Sequence, residues 1–350
     1  MTKIIRAAGL TAVGWAMTGL AWADVPSVAT DIAPVHGLVA RVMQGVGQPD
    51  LVVPPGASPH SHSMRPSEAK ALNRAEVVFW IGPELTPWLE GPISTLASKA
   101  VVVPLLTTEG TQTLVIRDAV QFTLSGDAHH DDDHHDDHGH DSHGHDEGGH
   151  DEHHDDHADH HDEDHDTHDT HDDHGHAHEA GSLDPHAWLM AENGLAWLDV
   201  IADVLAEKDP ENGGLYRDNA KAGQAEIIAA AAQIKSDLES VRDKPFVVFH
   251  DAYQYFETGF GLPAAGAISL SDASDPSPAR IAEIRDVVTD QHVTCVLSEP
   301  QFNPGLVATV LDGTDAGTAV VDPLGVALEP GPGFYTDLLA SIANAIADCK

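Results

Sequence analysis

Basic residues and long apolar runs are both scarce in this 350-residue sequence. The chain has 17 Lys and Arg against 57 Asp and Glu, a formal net charge of -40 with neutral histidines. Because a surface of this sign repels phosphate groups, nucleic acid is excluded as a partner. After the first segment, no apolar run approaches the roughly 20 residues that a membrane-spanning helix needs. We therefore expect no internal membrane span.

Signatures of catalysis are also missing. The sequence has no HExxH pair, no nucleophile elbow and no phosphate-binding P-loop. His60-Ser61-His62 has the form of the HxH element of zinc hydrolases, but Ser63-Met64-Arg65-Pro66 supplies neither the further Asp nor the further His that such enzymes need. We expect that the chain is not an enzyme, with a zinc hydrolase as the distant alternative, and that His62 is an accessory residue facing solvent.

Cysteine is nearly absent, with Cys295 and Cys349 the only two. In an exported protein an even pair indicates a disulfide, which here would fasten the C-terminal tail to a buried strand. A cysteine-based metal site is the weaker alternative, because the two thiols lack CxxC spacing.

Residues 1–23 have the composition of a secretory signal peptide. Lys3 and Arg6 precede an apolar stretch, and Ala21-Trp22-Ala23 provides a small-x-small cleavage pattern. The expected mature chain begins near Asp24, and a retained membrane anchor is the alternative. At about 327 residues, the mature chain exceeds one typical core and predicts two domains.

Histidine and acidic residues are concentrated in one segment, residues 127–179. This segment contains 20 of the 26 histidines and 22 Asp and Glu, with no Lys or Arg. It cannot bury apolar surface and is predicted to be a disordered loop without metal. Imidazoles beside carboxylates favour weak binding of several zinc ions, and also of copper or nickel. A solvated segment with no role is the alternative.

Short β-branched or apolar runs alternate with helical segments in two blocks, which predicts two α/β lobes. Residues 24–208 are expected to form an N-terminal lobe that carries the disordered loop, and residues 244–350 a C-terminal lobe. Between them, residues 209–243 predict one long linking helix. The predicted strands are centred on residues 51–53, 77–81, 101–103, 246–249, 267–270, 294–297 and 319–321.

Three histidines and one aspartate stand at the ends of these elements. His60 follows the first predicted strand through a proline-rich loop, His186 is expected to open the first long helix after the acidic segment, and His250 and Asp322 each directly follow a strand. In open α/β sheets, ligands bind beyond the carboxyl ends of the strands. A set dominated by histidine suits tetrahedral zinc better than manganese, which takes more oxygen ligands. Since a single histidine after a strand is more often structural, spacing alone leaves the metal site open.

The local sequences resemble a known family more specifically. Segments 56–67, 184–189 and 248–256 resemble, in order, the three ligand loops of the zinc-binding periplasmic subunits of ABC zinc importers, the ZnuA type. Ser298-Glu299-Pro300-Gln301-Phe302 and Val321-Asp322-Pro323-Leu324-Gly325 also fit that pattern. The resemblance covers nearly all of the mature chain.

The resemblance implies two Rossmann-like lobes joined by a long rigid helix, with zinc bound between them by His60, His186 and His250. Because Pro59 stands where some members of the family carry an acidic residue, the fourth ligand is Asp322 or water, with Asp322 favoured. The implied protein is a periplasmic monomer that delivers Zn2+ to an inner-membrane permease and its ATPase. A metal buffer based on the loop, and an importer subunit for manganese or iron, are the alternatives. Glu299 and Asp251 are candidates for supporting the ligand imidazoles.

Overall fold

The computed structural model describes residues 25–117, 182–262, 264–269 and 276–349. The predicted signal peptide, residues 1–23, and the predicted disordered loop, residues 127–179, lie outside these ranges. None of the helices in the described ranges combines the length and apolar character that a membrane span requires.

The N-terminal lobe is built on a four-stranded parallel sheet with the order β2-β1-β3-β4. The strands β1 and β3 are buried along their whole length, as is usual for central parallel strands covered by helices on both faces. The strands are β1 (Val28–Thr30), β2 (Asp50–Leu51), β3 (Val77–Trp80) and β4 (Val101–Pro104), and the helices are α1 (Ala33–Val42), α2 (Pro66–Arg74) and α3 (Glu90–Leu96).

The C-terminal lobe repeats this arrangement with the order β6-β5-β7-β8, again all parallel. In both lobes, therefore, the first strand of the lobe is central and its carboxyl end faces the same edge as the ends of its neighbours. The strands are β5 (Phe246–His250), β6 (Ala264–Ser269), β7 (Cys295–Ser298) and β8 (Gly317–Val320), and the helices are α6 (Gln254–Phe260), α7 (Pro278–Asp290) and α8 (Pro304–Leu311). The predicted pair of α/β lobes is confirmed.

Three longer helices connect and cover the lobes: α4 (Ala191–Lys208), α5 (Gly213–Asp237) and α9 (Phe334–Asp348). The predicted long linking helix corresponds to α5, whose 25 residues span about 38 Å. A 3-10 turn, Leu238–Ser240, ends it. The lobe boundaries at residues 208 and 244 remain predictions.

A single cluster of buried apolar side chains runs through both lobes. It includes Leu38 from α1, Trp197 from α4, Val248 from β5 and Leu338 from α9, each at most 1% exposed. Because α9 follows the second sheet in the chain yet packs against α1 and α5, the lobes share one core. Bending one lobe away from the other would expose that core to water.

The carboxyl end of α9 is fastened to the second sheet by a disulfide between Cys295 and Cys349, with their Cα atoms 5.8 Å apart. This confirms the predicted pair. Closing a loop of 54 residues stabilises the fold by about 4 kcal/mol in the chain-entropy description.

Candidate metal centre

His60, His186, His250 and Asp322 line one cavity of about 260 Å³ between the lobes. The ring centroids of His60 and His186 are 5.7 Å apart, and those of His186 and His250 are 5.4 Å apart. Two imidazoles bound to one tetrahedral zinc, with Zn–N bonds of 2.0–2.1 Å, have centroids about 5 Å apart. The structure thus brings together all four residues that were predicted as ligands.

The fold places these side chains at the carboxyl edges of the two sheets. His250 is the last residue of the central strand β5, and Asp322 follows the edge strand β8 by two residues. His60 lies in the loop between β2 and α2. His186 precedes a 3-10 turn, Ala187–Leu189, and α4 begins only at Ala191, so His186 does not open the long helix as the sequence predicted.

The His186 ring is oriented by a buried carboxylate. Its Nδ1 lies 2.7 Å from Oδ1 of Asp184, which also accepts the backbone N–H of His186 at 2.9 Å. Asp184 is 2% exposed. Because the carboxylate accepts, Nδ1 donates, and in the neutral form of the ring Nε2 then carries the lone pair. Asp184 belongs to segment 184–189, whose resemblance to a ligand loop did not indicate this supporting role.

The His250 ring has a matching support. Its Nδ1 lies 2.6 Å from Oε1 of Glu299, and the Gln301 side-chain amide donates to the other oxygen of Glu299 at 2.7 Å. Glu299 therefore occupies the supporting position that was predicted for it. Asp251, named for the same role, forms an ion pair with Arg117.

The two supporting carboxylates also set the charge of the site. Glu299 and Asp184 are both almost fully buried, so each needs a nearby positive partner to offset its loss of hydration. Together they carry two negative charges, the number that would balance one divalent cation in the cavity. Tyr253 lies close by, and complete burial, reinforced by the charges of Glu299 and Asp322, raises its pKa well above 10. Its hydroxyl is therefore neutral.

Asp322 is more constrained than the sequence implies. Its Oδ1 accepts the backbone N–H groups of Leu324 and Gly325 at 2.9 and 3.0 Å, and its Oδ2 accepts that of Val326 at 2.6 Å. The carboxylate thus caps a turn in which Gly325 has a positive φ of 68°. A carboxylate has about four lone-pair sites, so three amides leave little capacity for a metal.

His62 does not face solvent, so the expectation for that residue is wrong. Its side chain is 7% exposed, and its Nε2 lies 2.8 Å from Oε2 of Glu68. The same Glu68 oxygen accepts the backbone N–H of Arg65 at 2.6 Å, which caps the amino end of α2. The acid that contacts His62 lies six positions further along the chain, in the first turn of α2, and nothing in the local sequence indicated this contact.

The centroids of the imidazole rings are spaced as in a zinc site, but the side chains are not yet arranged as metal ligands. Within the described residues, no three His, Cys, Asp or Glu side chains already form a group that could hold a metal ion.

Comparison with known proteins decides the family. Residues 28–349 match the family described as "Zinc-uptake complex component A periplasmic", ZnuA. The chain belongs to the ZnuA family. The high-affinity zinc uptake system protein ZnuA of Brucella abortus (strain 2308) is 43% identical over 332 residues, covering 92% of this chain and 91% of that relative. The protein of the same name from Paracoccus denitrificans (strain Pd 1222) is 42% identical over 328 residues, covering 93% of this chain and 92% of that relative.

Solved structures agree with the ZnuA fold. A structure titled "Crystal structure of ZnuA" has a TM-score of 0.67 at 18% identity and covers 93% of this chain and 99% of its own. The binding protein FpvC of Pseudomonas aeruginosa, solved with Mn2+, has a TM-score of 0.68 at 16% identity and covers 93% of this chain and 98% of its own. At these identities the likeness concerns the fold alone.

Proposed function

We propose that this chain is the zinc-binding subunit of an ABC importer, which captures Zn2+ in the periplasm and delivers it to a permease and its ATPase. The observation that carries the proposal is the set of three imidazoles around one cavity, two of them backed by buried carboxylates. Membership of the ZnuA family supports the transport role and the periplasmic location. The cleft would bind its cargo without chemical change, so the chain is a carrier and not an enzyme.

The proposed ligands are His60, His186 and His250, the last two through Nε2, with Asp322 as the fourth. Nε2 is favoured because Nδ1 of His186 and of His250 contacts a carboxylate. Asp322 would contribute its remaining lone pair, and so more weakly than an uncommitted carboxylate would. Water in the fourth position is the alternative.

Zinc is the proposed cargo because three imidazoles and at most one carboxylate form a nitrogen-rich set. Manganese prefers more oxygen ligands. Structural relatives from Candidatus Liberibacter asiaticus are described as Mn-bound and Cd-bound, so the choice of metal needs its own test. A competition in which manganese displaced zinc at equal concentration would overturn the zinc assignment.

We further propose that the protein acts as a monomer, with residues 24–208 and 244–350 as lobes joined by residues 209–243. The segment 127–179 would bind additional zinc ions weakly and pass them to the cleft when zinc is scarce. Its removal should slow loading of the cleft at limiting zinc without changing the affinity of the cleft. Equal loading rates would remove the role of this segment in supply.

The test is an equilibrium titration of zinc against a chelator, using residues 24–350 and the same chain without residues 127–179. One tight site should persist in both and weaken in His250→Ala by more than the 10–100-fold cost of losing an outer hydrogen-bond partner. His292→Asn is the matched control. His292 does not line the cavity, and asparagine tolerates its positive φ of 52°. If the tight site disappeared with residues 127–179, the chain would be a metal buffer.

A further inference from the structure

Two short extended segments, residues 114–117 and 182–184, pair beside the metal cavity, and we call them the stalk. Val115 and Leu183 form an antiparallel bridge. The backbone N–H of Ile116 donates to Ser182 at 2.9 Å, and that of Asp184 donates to Leu114 at 2.8 Å. One segment of the stalk leads to Arg117, and the other runs through Asp184 into His186.

Arg117 joins the stalk to the C-terminal lobe. Its Nε donates to Oδ2 of Asp251 at 2.9 Å, and its Nη2 donates to the other oxygen of the same carboxylate. Nη1 and Nη2 donate to the two oxygens of Glu257 at 2.8 and 3.0 Å. The side chains are 19% exposed for Arg117, 3% for Asp251 and 8% for Glu257. One guanidinium therefore donates hydrogen bonds to both oxygens of each of two buried carboxylates.

These contacts connect His250 to His186, two of the proposed ligands. Asp251 directly follows His250 at the end of β5, and Arg117 holds Asp251 to the stalk. The stalk then passes through Asp184, whose carboxylate contacts the His186 ring. A parallel link runs through Tyr255 of α6, whose hydroxyl accepts the N–H of Leu114 and donates to the carbonyl of Asp184.

We propose that Arg117 is a positioning residue of the metal cleft, fixing the end of β5 against the stalk so that His250 stands at the right distance from His186. The inference rests on the proposed function, since it assumes that both histidines bind the metal. Arg117 itself does not line the cavity. Its part is geometric: the planar, forked guanidinium matches two carboxylates at once, which a single ammonium group cannot do.

Geometry and simple electrostatics predict opposite effects of removing this side chain. Arg117 is a positive charge beside a cation site, so its charge alone opposes zinc binding and its loss would tighten the site. If it positions His250, its loss weakens the site. Lysine separates the two effects, because it keeps the charge and loses the bidentate grip.

The experiment is a chelator competition for zinc on residues 24–350 with Arg117→Lys, Arg117→Met and His250→Ala, with the folded fraction of each checked by circular dichroism. We expect about tenfold weaker binding for Arg117→Lys and a further loss for Arg117→Met. The visible spectrum of the Co2+-loaded protein should also lose tetrahedral intensity in both variants, a change that lowered stability alone would not cause.

Arg41→Met is the matched control. Arg41 is 9% exposed and pairs with Glu226 of α5, away from the cavity lining. The Arg41→Met substitution should lower the stability of the fold and leave the zinc affinity unchanged. Two results would overturn the inference if His250→Ala still binds zinc weakly. One is a zinc affinity of Arg117→Lys within twofold of that of the parent, and the other is a higher zinc affinity of Arg117→Met. An unaltered His250→Ala would instead refute the proposed function.

Discussion

Oε1 of Glu299 lies 2.6 Å from Nδ1 of His250, across two neighbouring strands. The imidazole ends the central strand β5, and the carboxylate follows β7, which pairs with β5 in the sheet. The sheet itself therefore sets the orientation of the ring, and the interaction is independent of any loop that has to close over the site.

Glu299→Gln tests how much this carboxylate contributes to metal binding. The amide oxygen can still accept from Nδ1, but the buried negative charge that offsets the cation is gone. We expect zinc affinity to fall by about 10–100-fold, as for other outer-shell partners of ligating histidines. Chelator competition measures it, with Glu239→Gln, an exposed acid, as the control. Equal affinities of Glu299→Gln and the parent would show that the contact does not tune the site.

Asp322→Ala tests the fourth ligand. If the carboxylate binds zinc, the affinity falls, though by less than in His250→Ala, because three backbone amides already occupy most of its lone pairs. Stability falls as well, since those amides lose their acceptor, by about 1–3 kcal/mol. Urea unfolding and zinc competition on the same samples separate the two effects. Unchanged affinity with lowered stability would assign the fourth position to water.

Gly194→Ala tests the packing between α4 and α9. A Cβ at residue 194 would lie 2.5 Å from the hydroxyl oxygen of Tyr335. That hydroxyl is buried, and its one proton is shared between the carbonyl oxygens of Trp188 and Met190 at 2.8 and 3.0 Å, so it cannot move aside freely. We expect a loss of about 1–3 kcal/mol in the free energy of unfolding, measured in urea. Gly214→Ala in α5, where nothing lies within 4 Å of the new atom, is the control and should not destabilise. A neutral Gly194→Ala would mean that α9 can shift.

Asp31→Asn tests a buried carboxyl group of the N-terminal lobe. Its oxygens accept the N–H groups of Ile32 and Ile81 at 2.8 and 2.7 Å, and burial raises its pKa from 3.8 to about 7 despite these bonds. Because the folded-state pKa is the higher one, the folded protein binds the extra proton. Protonation of Asp31 therefore stabilises the folded state. This contribution to the free energy of unfolding is complete below about pH 4 and is lost as the pH rises towards 7.

Between pH 5 and 8, the parent should therefore lose about 2–3 kcal/mol of unfolding free energy that the Asp31→Asn protein does not lose. Denaturant unfolding of both proteins at both pH values measures this loss. Subtracting the change of one protein from that of the other cancels the effects of all groups that titrate alike in both. Parallel pH profiles would show that Asp31 is ionised in the folded protein well below pH 7.

The sequence predicted most strands and all four residues of the candidate site, because β-branched runs and ligand-loop motifs are local signals. It did not predict β1, Val28–Thr30, since three residues are too short for a pattern, although this strand is central to its sheet. The role of Arg117 could not be predicted either. It depends on Asp251 and Glu257, which are 134 and 140 positions away, and only the folded chain brings them together.

The buried apolar cluster that both lobes share has a thermodynamic consequence. A binding protein whose two lobes close about a hinge removes apolar surface from water when it binds its ligand, and its heat capacity decreases. Here that surface is already buried, through Leu338 of α9 and its neighbours, before any metal is bound. Zinc binding measured by calorimetry at several temperatures should therefore have a heat-capacity change close to zero, and its enthalpy should be nearly independent of temperature.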